Sequence, residues 1–228
     1  MRILAIDTAL EACAAAVLDT ARGEIVARES IAMARGHAEA LMPLIDRVMA
    51  EAGGGFDAID RFAVTVGPGS FTGLRVGIAA ARGLALAANK PAVGLTTLAA
   101  FAAPLIAEDD TLPVVAAIDA RHEHVYLQVF GPGGRTLVPP RVSSLRDALR
   151  AATTSRGARL IGTGAAMLAA AWPTGEKPPR SVEQRGAPDI DWIAQLGAAA
   201  SEDADPPKPL YLKPPDAQPQ EAALIARR

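Results

Sequence analysis

The sequence predicts an α/β protein assembled from two copies of one unit: a strand hairpin followed by a strand, a glycine turn and a helix. Three observations carry this. Two apolar runs end in Ile-Asp, ILAID at Ile3 to Asp7 and VVAAID at Val114 to Asp119. Each leads into a second strand-like run, a glycine-containing turn and a third extended stretch. Each half then holds an apolar strand that breaks at glycine before a small-residue helix, at Gly67 in the first half and at Gly164 in the second. Strands alternating with helices in this way favour sheets covered by helices.

In chain order, Ile3 to Asp7 is followed by a strand at Ala12 to Asp19, a turn at Ala21 to Gly23 and a strand at Glu24 to Ser30. Gly36 to Ala52 carries Leu41, Ile45, Val48 and Ala52 as one helical stripe, with Met42 and Met49 beside it. That is more apolar surface than one buried face requires, which points to a partner. Pro43 costs a helix interior roughly 3 kcal/mol, so either the helix kinks there or its regular part begins near Met42. Asp60 to Val66 alternates like a half-buried strand and runs into Gly67-Pro68-Gly69-Ser70, and a helix follows over Phe71 to Ala88.

That turn, within VGPGSFTGLRVG, is the most informative stretch of the chain. Gly67 and Gly69 let the backbone approach something closely, and Ser70 stands at a helix N-terminus where a phosphate or carboxylate would be stabilised. A tight turn that binds nothing accounts for the same residues. In the helix, Gly73, Gly77 and Ala81 recur every fourth residue next to Leu74, and Gly83 with Ala87 starts a second such row. Each interior glycine forfeits about 1 kcal/mol of helix propensity. Close approach of another element or of another chain would repay that loss, and packing against the protein's own sheet would do the same.

A break over Ala102 to Leu112, with Pro104 and an acidic run, divides the chain into residues 1–103 and 104–228. The second half continues with strands at Val114 to Asp119 and Val125 to Phe130, a turn at Gly131 to Gly134 and an extended Arg135 to Val138. Arg159 to Thr163 then meets Gly164 and a helix over Ala165 to Ala171. Asp205 to Gln220 holds six prolines and reads as an extended segment lying over a folded body, with Tyr211 and Leu212 as anchors.

Composition narrows the function classes. The 228 residues, half of them hydrophobic, can bury a substantial core. A net charge of −2 argues against a broad basic surface, so any RNA contact would lean on a partner for its phosphates. A lone cysteine, Cys13, excludes an intrachain disulfide and fits a reducing compartment. Met1 to Ile6 falls short of a signal peptide, and Val76 to Ala88 is interrupted by Arg82 and shorter than the ~20 residues a membrane span needs. A soluble, cytoplasmic protein is expected. His122 and His124 would share one face of a strand as half of a metal site, but no third ligand is evident, and His37 reads as a helix-start residue. No nucleophile is paired with a histidine in a hydrolase motif.

Four segments carry a family resemblance: MRILAIDT at the start, VGPGSFTGLRVGIAAARGLAL, the pair Ile118 to Arg121 and Val125-Tyr126, and PLYLKPPDA at Pro209 to Ala217. Together they resemble the bacterial TsaB (YeaZ) family, a subunit of the machinery that makes N6-threonylcarbamoyladenosine beside the tRNA anticodon. The resemblance implies an actin-like ATPase (ASKHA) fold with two duplicated lobes, each a mixed β-sheet flanked by helices. It also implies a non-catalytic subunit that pairs with and supports its catalytic paralogue, TsaD. TsaE would join as the complex's ATPase subunit, the chain would form a homodimer when alone, and tRNA would be reached only through the complex, with no membrane involved. The partner interface would use Leu41, Met42, Ile45, Val48 and Met49 of the first helix with Gly73, Leu74, Gly77 and Ala81 of the second.

The same resemblance points to what is missing. The catalytic paralogue carries an N-H-x-x-G-H pattern whose two histidines hold a metal, and Thr97 and Phe101 stand at those positions here. Neither offers an imidazole, so no metal and no catalytic residue are expected. The family pattern near His122 resembles Arg-Gly-Glu, from which His122-Glu123-His124 departs. In the actin-like fold Asp7 and Asp119 would face a cleft, with Thr8, Gly67, Gly69, Ser70, Gly162 and Gly164 near a nucleotide's phosphates. Ala9 and Ala14 to Ala16 stand where phosphate-binding members carry glycine or polar groups. No tightly bound cofactor is therefore expected, only residual ATP or ADP contact. A small ATPase or sugar-kinase-like enzyme using the same cleft is the alternative.

Overall fold

Two five-stranded sheets repeat one strand order. A computed structural model describes residues 1–201 and 205–213. In chain order its elements are β1 (Arg2–Asp7), β2 (Ala12–Asp19), β3 (Glu24–Ala32), α1 (His37–Ala52), β4 (Arg61–Gly67), α2 (Phe71–Ala88), β5 (Ala92–Thr96) and α3 (Thr97–Glu108). The second half adds β6 (Val114–Asp119), β7 (His124–Phe130), β8 (Thr136–Ser144), α4 (Leu145–Thr154), β9 (Arg159–Ile161), α5 (Ala165–Ala170), β10 (Ser181–Glu183) and α6 (Ile190–Ala199). The first sheet runs β3-β2-β1-β4-β5 and the second β8-β7-β6-β9-β10. In each, three antiparallel strands come first and two parallel strands follow. Parallel pairing requires a crossover, which α1, α2, α4 and α5 supply. This is the duplicated two-lobed architecture of the actin-like ATPase fold.

Alternation decides which side chains meet which helices. Leu4 and Ile6 of β1 face α1 and α2, in a core with Leu41, Leu44, Ile45, Phe62, Leu74 and Ile78. Ile3 and Ala5 face the other way, against Ile190 and Ile193 of α6. A strand buried on both faces reads as a near-continuous apolar run, as ILAID does. α1 begins at His37 and carries Pro43 inside it, so its regular part does not start near Met42. Leu41, Leu44, Ile45 and Val48 are fully buried. Each contributes roughly 1.5–3 kcal/mol, together more than the ~3 kcal/mol that Pro43 costs.

The structure departs from the sequence reading in three respects. The stretch expected to break at Ala102 is helical as far as Glu108, so position 103 lies within α3. Leu98, Phe101, Ala102 and Leu105 are buried against Val114, Ile118 and Ile161, and that burial holds the helix through Pro104. β8 extends through Pro139 and Pro140 to Ser144, well beyond Val138, because an edge strand tolerates a missing N–H. α4, α6 and β10 had no counterpart in the sequence reading. α3 follows the first sheet yet packs mainly on β6 of the second, whereas α6 follows the second sheet and packs on β1, β2 and β4 of the first.

Candidate functional site

The turn between β1 and β2 and the turn between β4 and α2 close onto each other. Thr8 Oγ1 donates to the Gly73 carbonyl at 2.7 Å, and the Ser70 N–H donates to the Ala9 carbonyl at 2.7 Å. A Cβ on Gly69 would lie 2.3 Å from the Ala9 oxygen, one on Gly73 2.0 Å from the Thr8 oxygen, and one on Gly77 2.4 Å from Thr8 Oγ1. The glycine row of α2 is therefore filled by the protein's own hairpin. Ser70 caps α2 through its side chain, accepting from the Gly73 N–H, and its carbonyl takes the Leu74 N–H. The amides of Ser70, Gly73 and Leu74 thus all donate to protein oxygens.

Asp7 lies beneath this contact with no exposed surface. Its Oδ1 accepts from the Ala9 N–H at 3.0 Å and from Thr65 Oγ1, while Oδ2 has no hydrogen-bond partner among the described residues. Burial pushes its carboxyl above the ordinary carboxylate range, against the pull of the Thr65 and Ala9 hydrogen bonds and of His37. Its counterpart in the second lobe differs. Asp119 is exposed, accepts from the Arg121 N–H at 2.7 Å and donates its own N–H to Thr163 Oγ1 at 2.9 Å.

Gly67, which ends β4, and Gly162, which follows β9, are also equivalent. Gly67 has φ +116° and Gly162 φ +111°, a region closed to side chains. A Cβ on Gly162 would lie 2.3 Å from the Ala117 oxygen, and the Gly164 N–H donates to that same oxygen at 3.0 Å. Close approach of backbone to backbone explains each of these glycines without a ligand.

Thr97 is fully buried, its Oγ1 without a partner among the described residues, and Phe101 is buried in the core of α3 and β6. His122 lies in a run of three residues, Arg121 to Glu123, with left-handed backbone at the β6–β7 tip. Nδ1 of His124 bonds the His122 carbonyl at 2.7 Å. Among the described residues no cluster of three or more His, Cys, Asp or Glu side chains is placed to hold a metal.

The stripe expected to meet a partner faces inward. Leu41, Ile45, Val48, Met49, Gly73, Leu74, Gly77 and Ala81 are all buried within this chain, and of the expected set only Met42 is exposed. The physical reason is that one face of the first sheet needs cover, and these residues provide it. The outward side of α2 instead carries Phe71, Ala79, Gly83, Leu86 and Ala87. Leu86 is 84% exposed, and a Cβ on Gly83 would meet nothing within 4 Å. α2 is long and apolar enough to cross a membrane by length and composition, and it lies against β4 and α1 as a core helix.

The proline-rich segment reaches the same helix. The Leu210 N–H donates to the Val66 carbonyl at 2.7 Å. Tyr211 stacks on Phe71 with ring centroids 5.4 Å apart, and Arg75 lies 3.8 Å over the Phe71 ring while its Nε donates to the Tyr211 hydroxyl. Tyr211 is thus an anchor as expected, whereas Pro214, Pro215 and Ala217 lie outside the described residues.

Comparison with known proteins adds a lineage to this geometry. Residues 24–172 match the family model described as TsaD, tRNA N6-adenosine threonylcarbamoyltransferase. A Haemophilus influenzae protein, tRNA threonylcarbamoyladenosine biosynthesis protein TsaB, is 41% identical over 126 residues, 55% of this chain and 52% of its own length. An uncharacterised Mycobacterium tuberculosis protein is 34% identical over 95% of this chain and 94% of its own. The chain thus spans about half the length of the Haemophilus relative and nearly all of the mycobacterial one. The solved structure of YeaZ from Pseudomonas aeruginosa superposes with a TM-score of 0.75 at 28% identity, covering 92% of this chain and 99% of that one.

Proposed function

The chain belongs to the TsaB (YeaZ) family, and from that membership we propose that it is a non-catalytic subunit of the complex that places threonylcarbamoyl on N6 of the adenosine beside the tRNA anticodon. The observation that carries this reading is the pair Thr97 and Phe101. Both are sealed in the core where the catalytic paralogue presents its metal-binding histidines, so this chain offers no ligand there. The hairpin packed onto α2 points the same way, because it occupies the approach to the turn and the Ser70, Gly73 and Leu74 amides are spent on the Ala9 and Ser70 oxygens.

In this reading the chain acts in the cytoplasm, pairs with TsaD, forms a homodimer in its absence, and provides part of the platform for TsaE. The helix pair α1 and α2 is the interaction surface, but through its outward side, where Met42, Phe71, Gly83 and Leu86 are exposed. The first sheet with α1 and α2 forms the partner-binding lobe and the second sheet with α4 and α5 the degenerate one. The test is reconstitution of tRNA modification with the catalytic paralogue in the presence and absence of this chain, read as threonylcarbamoyladenosine by mass spectrometry. Modification only when both are present is the expected result. Full modification without this chain would overturn the accessory role, and modification by this chain alone would overturn the non-catalytic assignment.

A further inference from the structure

The charge of this chain is not evenly spread. Residues 135–159 contain six arginines and a single acidic residue, Asp147, in a protein whose net charge is −2. Arg159 is buried, but Arg141, Arg146, Arg150 and Arg156 are exposed, and among the described residues none of these four is in an ion pair or donates a hydrogen bond through its guanidinium. Arg47 and Arg185, by contrast, are held by Glu29 and Glu183. The four flank one short helix. Arg141, Arg150 and Arg156 line an open depression of about 930 Å³ between α4 and β8, and Arg146 with Arg150 lines a second of about 530 Å³ on the other flank of α4. Arg150 lines both, so the guanidinium groups on the two flanks of α4 adjoin through it. Asp147 lines the first depression, where its carboxylate accepts from Ser144 Oγ at 2.8 Å, and Glu123 borders the second.

The geometry points to this face as a binding track for an RNA phosphodiester backbone. Donors that served one phosphate would converge on one point. Here unpaired guanidinium groups are strung along both flanks of a helix, which suits a polyanion with regularly spaced phosphates. The inference rests on the reading that the chain serves a tRNA-modifying complex, and it gives the second lobe a part in that work. The acidic remainder of the chain keeps affinity low in isolation, so the track acts once a partner holds the RNA.

The test is fluorescence anisotropy with a labelled anticodon stem-loop, titrated with the full chain alone and with its complex with the catalytic paralogue, across a salt series. The variant replaces Arg141, Arg146, Arg150 and Arg156 with glutamine, and circular dichroism and a thermal melt check its fold. The expected result is at least a tenfold loss of affinity at low salt and a log–log salt slope shallower by about 3, as loss of four phosphate contacts requires. Unchanged affinity and slope would overturn the proposal, as would equal competition by a polyglutamate peptide of matching charge, or RNA binding by neither the chain nor the complex. Failure of the subunit assignment is a separate outcome: threonylcarbamoyladenosine would form without this chain, while the arginine dependence of RNA binding by the isolated chain would still be measurable.

Discussion

Arg61 and Arg159 hold the same place in the two lobes, opposite Ile3 of β1 and Val114 of β6, and each is buried against the end of a helix that joins the lobes. Arg61 Nη1 donates to the carbonyls of Gly197 and Ala200 at the end of α6, at 3.0 and 2.8 Å. Arg159 Nη2 donates to the carbonyls of Asp109 and Leu112, where α3 ends. A helix leaves its last carbonyls unpaired and partly negative, so a cation there satisfies both needs. Each lobe thus receives a helix end through the arginine that opens its central parallel strand.

Replacing Arg61 with Met should therefore destabilise the protein by roughly 2–4 kcal/mol, because buried carbonyls lose charge-assisted donors. In a chain of this size that lowers the melting temperature by about 5–12 °C. Arg159→Met should behave similarly. Thermal denaturation by circular dichroism checks both, and a wild-type melt for either variant would show that water or neighbouring groups suffice at that helix end.

The glycines of α2 separate its two sides by sign. Gly83→Ala should stabilise the monomer by about 0.5–1 kcal/mol, since within one chain the new methyl meets open space and alanine is the better helix former. Gly73→Ala should destabilise despite the same propensity gain, because its methyl would fall on the Thr8 carbonyl. Urea midpoints for the two variants decide it, and shifts of the same sign would contradict the packing described here.

That contrast also marks where sequence reasoning stops. The termini of β2, β6 and α2 are legible because apolar runs meet glycine, proline or aspartate there. The row Gly73, Gly77 and Ala81 is legible too, but its spacing is the same whether a hairpin of the same chain or another molecule fills it. No helix is expected over Leu145–Thr154, although Ser144 caps it by accepting from the Asp147 N–H, because the expected extended run stops at Val138, ahead of two prolines. The arginines around α4 were countable in the sequence, yet a whole-chain charge of −2 conceals a local excess until the fold gathers it on one face.

If α1 and α2 pair with another chain through their outward side, Leu86→Asp and Met42→Asp should weaken self-association and binding to the catalytic paralogue at least tenfold. Both residues are exposed, so the circular dichroism spectrum and melting temperature should stay native. Leu41→Asp is the contrasting variant: it buries a carboxylate in the core and should unfold the protein. Sedimentation velocity on the first two variants, alone and mixed with the paralogue, is the measurement. Association unchanged in both would remove this surface from consideration.

Asp7 makes stability depend on pH in a definite direction. Its carboxyl titrates above the unfolded value in the folded protein, because burial disfavours the charged form more than its hydrogen bonds and His37 favour it. The folded state therefore binds the proton more tightly, and the stability this confers is complete below the unfolded carboxylate range, about pH 4, and is lost as pH rises through the folded value. Asp7→Asn keeps an acceptor for the Ala9 N–H and Thr65 Oγ1 without the charge. The variant should match the wild type near pH 4 and exceed it at pH 7, as urea midpoints at the two pH values would reveal. A variant less stable than the wild type at pH 7 would mean that the Asp7 carboxylate is satisfied as an anion beneath the closed turn.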